Sequence, residues 1–302
     1  MKKFFIFLIA LLVGASGFAQ QGKQSVVTVQ GHPHELLTKK YAEGKWKYPT
    51  PKPASGLRGT TDNIDFDEIE YWIGGKGTDS AAFLVKWVNP ADVTDTVIYL
   101  WGYTWDATKA VYSIDMIRAI ANADPRFLVL TQYTGPLGNT IDGLGYHRGY
   151  TSRFPVTFNL AGAKADTNFS FKYACDDPES PGPGQYGIPI DAQGYIDAAI
   201  KSGSDNGVID HPLDYRYGYP AYDYDWWSLG IPVTPDTYWN AGWYLGYWSF
   251  WVKEGLVGPF DYSSLGASSR RLQNRSVDGW VYSSFSSAAA DMSGEYIAAP
   301  LP

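Results

Sequence analysis

Four short runs rich in apolar residues lie between residues 64 and 133, and each predicts a β-strand; in the first, Ile69, Tyr71 and Ile73 alternate with Glu68, Glu70 and Trp72 in the pattern of a half-buried strand. In the second run Phe83, Val85 and Trp87 fall on one face, so we expect this face to pack against a core. The four predicted strands cover residues 69–73, 81–88, 96–105 and 126–133.

A helix is predicted between the third and fourth strands. Ile114, Ile117 and Ile120 recur at helical spacing, with Ser113 as the expected N-cap and Pro125 as the stop. A second helix is predicted after residue 190. The order of three strands, a helix and a strand predicts an α+β, β-rich fold with antiparallel or mixed sheets and about two helices.

Two glycine-containing segments shape these expectations. The second helix is expected to begin after an N-cap at Asp191 and to end before Gly203 as its C′ residue. The turn GGKGTDS at residues 74–80 joins the first two strands. Because a phosphate cradle needs a helix N-terminus after it, we interpret this turn as a hairpin turn.

Composition divides the chain into four segments. Residues 1–19 combine basic, apolar and small-residue regions in the order of a signal peptide, and residues 20–60 predict an extended N-terminal arm. Residues 61–285 predict a single β-rich domain or two lobes, 61–175 and 176–285. Residues 286–302, rich in Ala and Ser, predict a flexible tail.

The signal peptide predicts a secreted, periplasmic or cell-surface protein with no membrane span after cleavage. Removing Lys2 and Lys3 with it takes the formal charge from −7 to −9. This balance argues against nucleic acid as a partner, because nucleic-acid binding requires basic patches. The single cysteine, Cys175, cannot form a disulfide within the chain.

Aromatic residues are concentrated between residues 215 and 251, which hold six of the twelve tryptophans. Tryptophan and tyrosine supply large contact areas at low entropic cost and are enriched in binding surfaces. We expect Trp248, Phe250, Trp87 and Trp101 to be core residues. Rings in the Pro- and Asp-rich loop are expected to be exposed, because loops bury few side chains.

The candidate ligand-binding residues come from this aromatic segment: Tyr222, Asp223, Tyr224, Asp225, Trp226, Trp227, Trp239 and Trp243. The aromatic faces would stack on a flat ligand, while the carboxylates and hydroxyls would bind its polar edge. Residues 238–251 are expected to form a strand whose rings are shared between core and surface, with bends at Gly242 and Gly246.

Three segments of the chain resemble a group of exported bacterial proteins. They are IEYWIGGKGTDSAAFLVKW, LWGYTWDATKAVYSIDMIRAIANADPRF and GASSRRLQNRSVDGW, within residues 65–285. Members carry the motifs F/YW-x-G-x-G, WGY-x-WD and DM-x-x-AI-x-x-ADPR. This resemblance implies an exported protein but supplies no activity.

The segment GYWSFWVKEGLVGPFDY is similar to part of the transcobalamin-like C-terminal domain, a small β-grasp module. In that module a YWSF-x-V strand precedes a polar loop. Some proteins with this module bind corrinoids, so the resemblance implies a corrinoid or another tetrapyrrole as a possible ligand beside a glycan.

Candidate metal ligands occur in three places, of which the acidic turn at residues 202–210 is interpreted as a helix C-cap and turn rather than as a calcium site. His32, His34 and Glu35 are chemically suited to zinc or copper, but the complete spacing of a known site is missing. Residues 62–68 carry carboxylates at alternate positions, which suits Ca²⁺, yet the pattern of a helix–loop–helix calcium site is absent. We therefore predict no metal site and retain calcium as the weaker alternative.

No sequence motif of a nucleophile, zinc protease or nucleotide-binding loop is present. The chain is therefore expected to bind a ligand rather than to turn one over. Two alternatives stay open: a structural or adhesive protein that binds cell-surface proteins, and a glycoside hydrolase. A hydrolase needs two carboxylates across a cleft, with Asp223 and Asp225 as candidates and Asp106, Asp115, Glu68 and Glu70 as further carboxylates.

Overall fold

A computed structural model describes residues 58–89, 92–133, 138–149, 152–153, 155–159, 161, 192–210, 226–231, 236–242, 246–285 and 291–302. Within these residues the helices are α1 (Ser113–Ala123) and α2 (Ala192–Asn206), together with a short 3-10 turn at Phe66–Glu68. The strands are β1 (Arg58–Thr60), β2 (Trp72–Gly74), β3 (Asp79–Asn89), β4 (Asp92–Trp105), β5 (Phe127–Tyr133), β6 (Asn139–His147), β7 (Val156–Phe158), β8 (Val208–Asp210), β9 (Trp227–Leu229), β10 (Thr237–Ala241), β11 (Gly246–Lys253), β12 (Asp261–Tyr262), β13 (Ser276–Ser284) and β14 (Glu295–Ala298).

The larger sheet has eight strands in the order β1-β14-β4-β3-β13-β11-β12, and β2 also pairs with β4. Its centre is the long antiparallel pair β3 and β4, which includes the cross-strand pair Phe83 and Trp101. β13 runs parallel to β3 and antiparallel to β11. The sheet is therefore mixed, and the predicted α+β, β-rich class with two helices is confirmed for the described residues.

A second sheet has four strands in the order β10-β6-β5-β8, and β7 pairs with β9 in a separate ribbon. Each large sheet combines distant parts of the chain. In the first, β13 pairs with β3, and in the second β10 pairs with β6. The two sheets thus depend on contacts between both halves of the sequence.

The main hydrophobic core lies between the two sheets and α1. The inward face of β3 and β4 meets aromatic residues of β6, β10, β11 and β13, while Ile114, Ile117 and Ile120 of α1 close one side. A second cluster lies on the other face of the four-stranded sheet, against α2 and β9. A third cluster covers the outer face of the eight-stranded sheet.

Both helices differ from the prediction at one end. Tyr112, not Ser113, is the N-cap of α1, and the Asp115 carboxylate accepts a hydrogen bond from its backbone N–H at 2.9 Å. The helix ends before Asp124, and Pro125 follows as expected.

The second helix does not end at Gly203. It continues to Asn206, and Gly207, with φ of 77°, occupies the left-handed position after it. Gly203 instead allows close packing, because an added Cβ would lie 2.7 Å from the side chain of Ile209. The prediction failed because a packing glycine has the same sequence signal as a helix stop.

The glycine-rich turn at residues 75–78 is not a hairpin turn. β2 is parallel to β4 and β3 is antiparallel to it, so the two strands lie on opposite edges of β4. The turn crosses the end of β4, where a Cβ on Gly77 would lie 2.1 Å from the carbonyl oxygen of Trp105. Glycine is required there by the close approach of two backbones.

The predicted arm and tail both contribute strands. β1 belongs to the segment expected to be an extended arm, and β14 to the segment expected to be a flexible tail. β14 pairs with β4, and Tyr296 is fully buried. The prediction for the tail is therefore wrong for residues 295–298, because composition does not reveal pairing with a distant strand.

Residues of the WGY-x-WD and DM-x-x-AI-x-x-ADPR segments make buried polar contacts with one another. Trp101 donates its indole N–H to Asp124 at 3.0 Å, and Asp124 forms a bidentate pair with Arg126. Arg126 also donates to the Pro300 carbonyl and lies over the ring of Tyr146. These residues fasten α1 and the C-terminal segment to the main core.

Candidate functional site

The three described tryptophans of the predicted site are buried. Trp226 and Trp227 are each 1% exposed and Trp239 is 4% exposed, all in the cluster against α2. The expectation that Trp226 and Trp227 are exposed in a loop is wrong. We call these three residues the buried tryptophan cluster. Tyr222, Asp223, Tyr224, Asp225 and Trp243 lie outside the described residues, and their part in binding stays a prediction.

Trp239 packs over the residue opposite it, in the cluster against α2 and β9. On β10 it pairs with Gly145 of β6, and its ring occupies the space beside this glycine: an added Cβ on Gly145 would lie 2.7 Å from Trp239. Trp227 packs against Phe158 with ring centroids 4.8 Å apart. The glycines in GLGYH were therefore the available signal that a large ring packs across this strand.

The four predicted core aromatics are confirmed. Trp87 and Trp101 are fully buried, and Trp248 and Phe250 are each 6% exposed. Two of them connect the sheets through their indole N–H groups.

Trp87 donates to the Leu144 carbonyl at 3.0 Å, and Trp248 donates to the Asn240 carbonyl at 2.9 Å. Both bonds run between the eight-stranded and four-stranded sheets. They satisfy the donor end of a large apolar ring, which is the condition for burying it without a penalty.

The tyrosines in the main core are kept uncharged. Burial raises the pKa of Tyr99 to about 12, and it also raises the pKa values of Tyr146 and Tyr238. A phenol with such a pKa does not act as a base near neutral pH. These rings therefore contribute packing, not proton transfer.

Aromatic rings also line the opposite, outer face of the eight-stranded sheet. Tyr247 and Trp251 share this face of β11, since strand residues four apart point the same way. Tyr262 of β12 pairs with Trp251, and Phe285 follows β13. We call these four residues the outer aromatic strip.

The rings of the outer aromatic strip contact one another in sequence. Phe285 stacks on Tyr247 with ring centroids 5.7 Å apart, and Trp251 meets Tyr262 edge-on at 5.4 Å. A hydrogen bond between the Tyr247 and Tyr262 side chains joins the two pairs.

The outer aromatic strip is accessible and firmly supported. Tyr262 is 52% exposed, whereas the other three rings are partly exposed. Trp251 packs on the cluster beneath it and donates its indole N–H to Ser249 at 2.9 Å. The hydroxyl of Ser249 in turn forms a hydrogen bond with that of Ser283 at 2.9 Å, so the strip is supported by the hydrogen-bonded strands β11 and β13.

The sequence predicts two of the four residues of this strip as rings near the surface. Tyr247 and Trp251 fall in the segment expected to share its rings between core and surface, and the alternation in YWSFW is the signal for it. Tyr262 and Phe285 were missed. Each is remote in sequence and joins the strip only through strand pairing.

Carboxylates expected near metal or catalytic sites have structural partners. The Asp65 side chain accepts from the Asp67 backbone, and Glu68 accepts from the Tyr296 hydroxyl at 2.6 Å. Asp106 accepts from Thr108 in a turn. Asp223 and Asp225, with His32, His34 and Glu35, lie outside the described residues.

In the parts of the chain that the structure describes, no group of three or more His, Cys, Asp or Glu side chains is arranged to hold a metal ion. Neither α1 nor α2 has the length and apolar character that crossing a membrane requires, and no other described helix does. Comparisons with protein-family models, with curated proteins and with solved structures gave no match. Residue chemistry is therefore the basis for a functional assignment.

Proposed function

We propose that this chain is an exported, non-catalytic binding protein that holds a glycan on the outer aromatic strip. The observation that carries the proposal is a continuous row of four aromatic rings on one rigid sheet face, with Tyr262 52% exposed. A curled β-rich fold with a packed aromatic interior provides the rigid support that such a surface needs.

The chemistry of the strip suits a sugar ring. The aromatic faces provide flat apolar area for the C–H face of a sugar, and the tyrosine hydroxyls offer hydrogen bonds to its edge. Because the rings are already held by neighbouring rings and by Ser249, binding orders few side chains. Affinity then comes from contact area at low entropic cost.

Export supports the same proposal. The signal peptide predicted for residues 1–19 directs the chain to a secreted, periplasmic or cell-surface location, where polysaccharides are abundant partners. A corrinoid, a tetrapyrrole or a cell-surface protein would also meet an aromatic surface, and each is a competing ligand in the test below.

The experiment compares the full mature chain with two tyrosine variants on a glycan panel, with cobalamin and haem as added ligands. Tyr262→Ala removes the most exposed ring of the strip. Tyr112→Ala is the matched control, because Tyr112 is 37% exposed but lies at the start of α1.

We expect the wild-type protein to bind at least one glycan. Tyr262→Ala should raise the Kd for this glycan about tenfold, which is a loss of about 1.4 kcal/mol in the free energy of binding. Tyr112→Ala should bind as the wild type does. Binding of cobalamin or haem in place of every glycan contradicts the proposal, and so does an unchanged glycan Kd in Tyr262→Ala.

A further inference from the structure

The outer aromatic strip is longer than one sugar ring. Tyr247 and Trp251 are four residues apart on β11, which places their Cα atoms roughly 13 Å apart at about 3.3 Å per residue. Phe285 extends the strip beyond Tyr247, since its ring stacks there at 5.7 Å. A single pyranose, about the size of one aromatic ring, covers only one of the two ring pairs.

The strip also reaches the margin of the sheet. β12 is the last strand in the sheet order, and both of its residues, Asp261 and Tyr262, are exposed. A linear chain laid over Phe285 and Tyr247 can therefore pass across Tyr262 and continue beyond the sheet. This geometry suits an internal stretch of a polymer.

Charge near the strip disfavours an acidic polymer. The three strands that carry it, β11, β12 and β13, contain one basic residue, Lys253. Its ammonium group is buried and donates to the carbonyl oxygens of Thr61, Leu256 and Gly258 at 2.7, 2.9 and 3.1 Å. It is thus fully used by the protein, and none of its three donors is left for a carboxylate or sulfate.

The remaining charges nearby are negative or paired. Asp261 is exposed beside Tyr262. Glu254, directly after β11, forms an ion pair with Arg270, whose side chain is itself only 10% exposed. Asp261 pairs with Val252, so it points away from the face that carries the strip. An acidic glycan on the strip would find no available cation on these three strands, because Lys253 is fully used by backbone carbonyls.

We infer that the outer aromatic strip binds an internal segment of an extended, uncharged polysaccharide, with separate sugar units on the Tyr247–Phe285 pair and on the Trp251–Tyr262 pair. This inference rests on the proposed function and adds the ligand's length and charge to it.

The experiment is a chain-length series. Binding of the full mature chain is measured by calorimetry with neutral cello-, xylo- and manno-oligosaccharides from the monosaccharide to the hexasaccharide, and with oligogalacturonates of the same lengths. We expect at least one neutral series to gain tenfold or more in affinity between the monosaccharide and the length that covers both ring pairs. The affinity should then level off, and oligogalacturonates should bind at least tenfold more weakly.

A variant separates length recognition from a general loss of binding. Phe285→Ala shortens the strip at one end, so the affinity should level off at a shorter chain while short oligosaccharides bind nearly as before. Tyr112→Ala should leave the series unchanged. A thermal unfolding midpoint close to that of the wild type confirms that Phe285→Ala is folded.

The possible failures are distinguishable. Binding that does not depend on length, or equal binding of oligogalacturonates, overturns the inference alone. Absence of binding to every sugar at every length overturns the proposed function together with the inference. If Phe285→Ala keeps the full length dependence, the Tyr247–Phe285 pair is not a separate subsite, and the inference is wrong.

Discussion

The buried tryptophan cluster and the outer aromatic strip consist of the same kinds of residue, yet one is core and the other is surface. Trp239 of the cluster lies on β10, across from Gly145, whose missing side chain leaves room for the indole. Trp251 of the strip lies on β11, across from Gly279 of β13 and beside the short edge strand β12. Both rings therefore lie opposite a glycine, and the difference is that α2 and β9 pack over Trp239, whereas Trp251 lies next to the margin of its sheet. The comparison shows that the elements packed over a sheet face, rather than aromatic content, decide which rings reach solvent.

The largest expected effect is a difference in the free energy of unfolding between variants of the two regions. Trp239→Ala removes a ring that fills the space over β6, so we expect it to lower the free energy of unfolding by about 3–5 kcal/mol. Tyr262→Ala, at an exposed position, should change it by less than about 1 kcal/mol. Urea unfolding measures both.

A matched variant isolates packing from hydrogen bonding. The indole N–H of Trp239 has no hydrogen-bond partner in the described structure. Trp239→Phe keeps an aromatic ring over Gly145 and removes this donor, so it should destabilise much less than Trp239→Ala. Equal losses in Trp239→Ala and Tyr262→Ala would contradict the assignment of core and surface.

The same contrast applies to charges. Asp124 and Arg126 form a nearly fully buried pair, whereas Arg118 and Asp210 pair at the surface. Asp124→Ala leaves a buried guanidinium without its partner and should cost about 3–5 kcal/mol. Asp210→Ala should cost less than about 1 kcal/mol. Similar unfolding midpoints for the two variants would show that burial does not govern these pairs.

The pH dependence of stability tests whether Asp278 is buried in the sheet that carries the strip. Burial raises the pKa of Asp278, on β13, to about 6 from its ordinary 3.8, although Arg270 opposes the shift. The folded state therefore binds more protons than the unfolded state between these pH values. Stability from this group is present at low pH and is lost as the pH rises through about 6.

We expect the wild type to lose roughly 2 kcal/mol from this group between pH 4 and pH 7, at about 1.36 kcal/mol per pKa unit. Asp278→Asn cannot titrate, so its stability profile should lack this fall. The measurement is urea unfolding of both proteins across the pH range. Parallel profiles would show that Asp278 keeps an ordinary pKa in the folded protein.

The smallest expected effect separates ring from hydroxyl within the strip. Tyr262→Phe keeps the aromatic face but removes the hydroxyl that bonds with Tyr247. Stability should change by less than about 1 kcal/mol, and glycan affinity should fall only a few-fold, less than in Tyr262→Ala. A loss as large as that of Tyr262→Ala would assign recognition to the hydroxyl instead of the ring.

Local patterns predicted the elements that are long and regular. Runs of apolar residues were sufficient for β3, β4 and β5, and the spacing of Ile114, Ile117 and Ile120 was sufficient for α1. These segments carry their signal within their own sequence, because one face of each is buried along its whole length. The fold class follows from their order.

Features that depend on distant partners were not predictable. β14 is four residues long and is held by β4, and the glycine-rich turn crosses a strand that comes later in the sequence. The burial of Trp239 depends on a glycine nearly a hundred residues earlier. Tyr262 and Phe285 join the strip by the same kind of pairing, so only half of the candidate surface was visible in the sequence.

Hydroxyl-radical footprinting with mass spectrometry tests most directly the claim that the strip, and not the buried tryptophan cluster, is the binding surface. In the free protein Tyr262 and Trp251 should be oxidised readily, and Trp226, Trp227 and Trp239 should stay nearly unmodified. Adding the neutral hexasaccharide that binds most tightly should protect Tyr262 and Trp251 and leave the cluster unchanged. Protection confined to Trp226, Trp227 or Trp239, with Tyr262 still oxidised, would contradict the account.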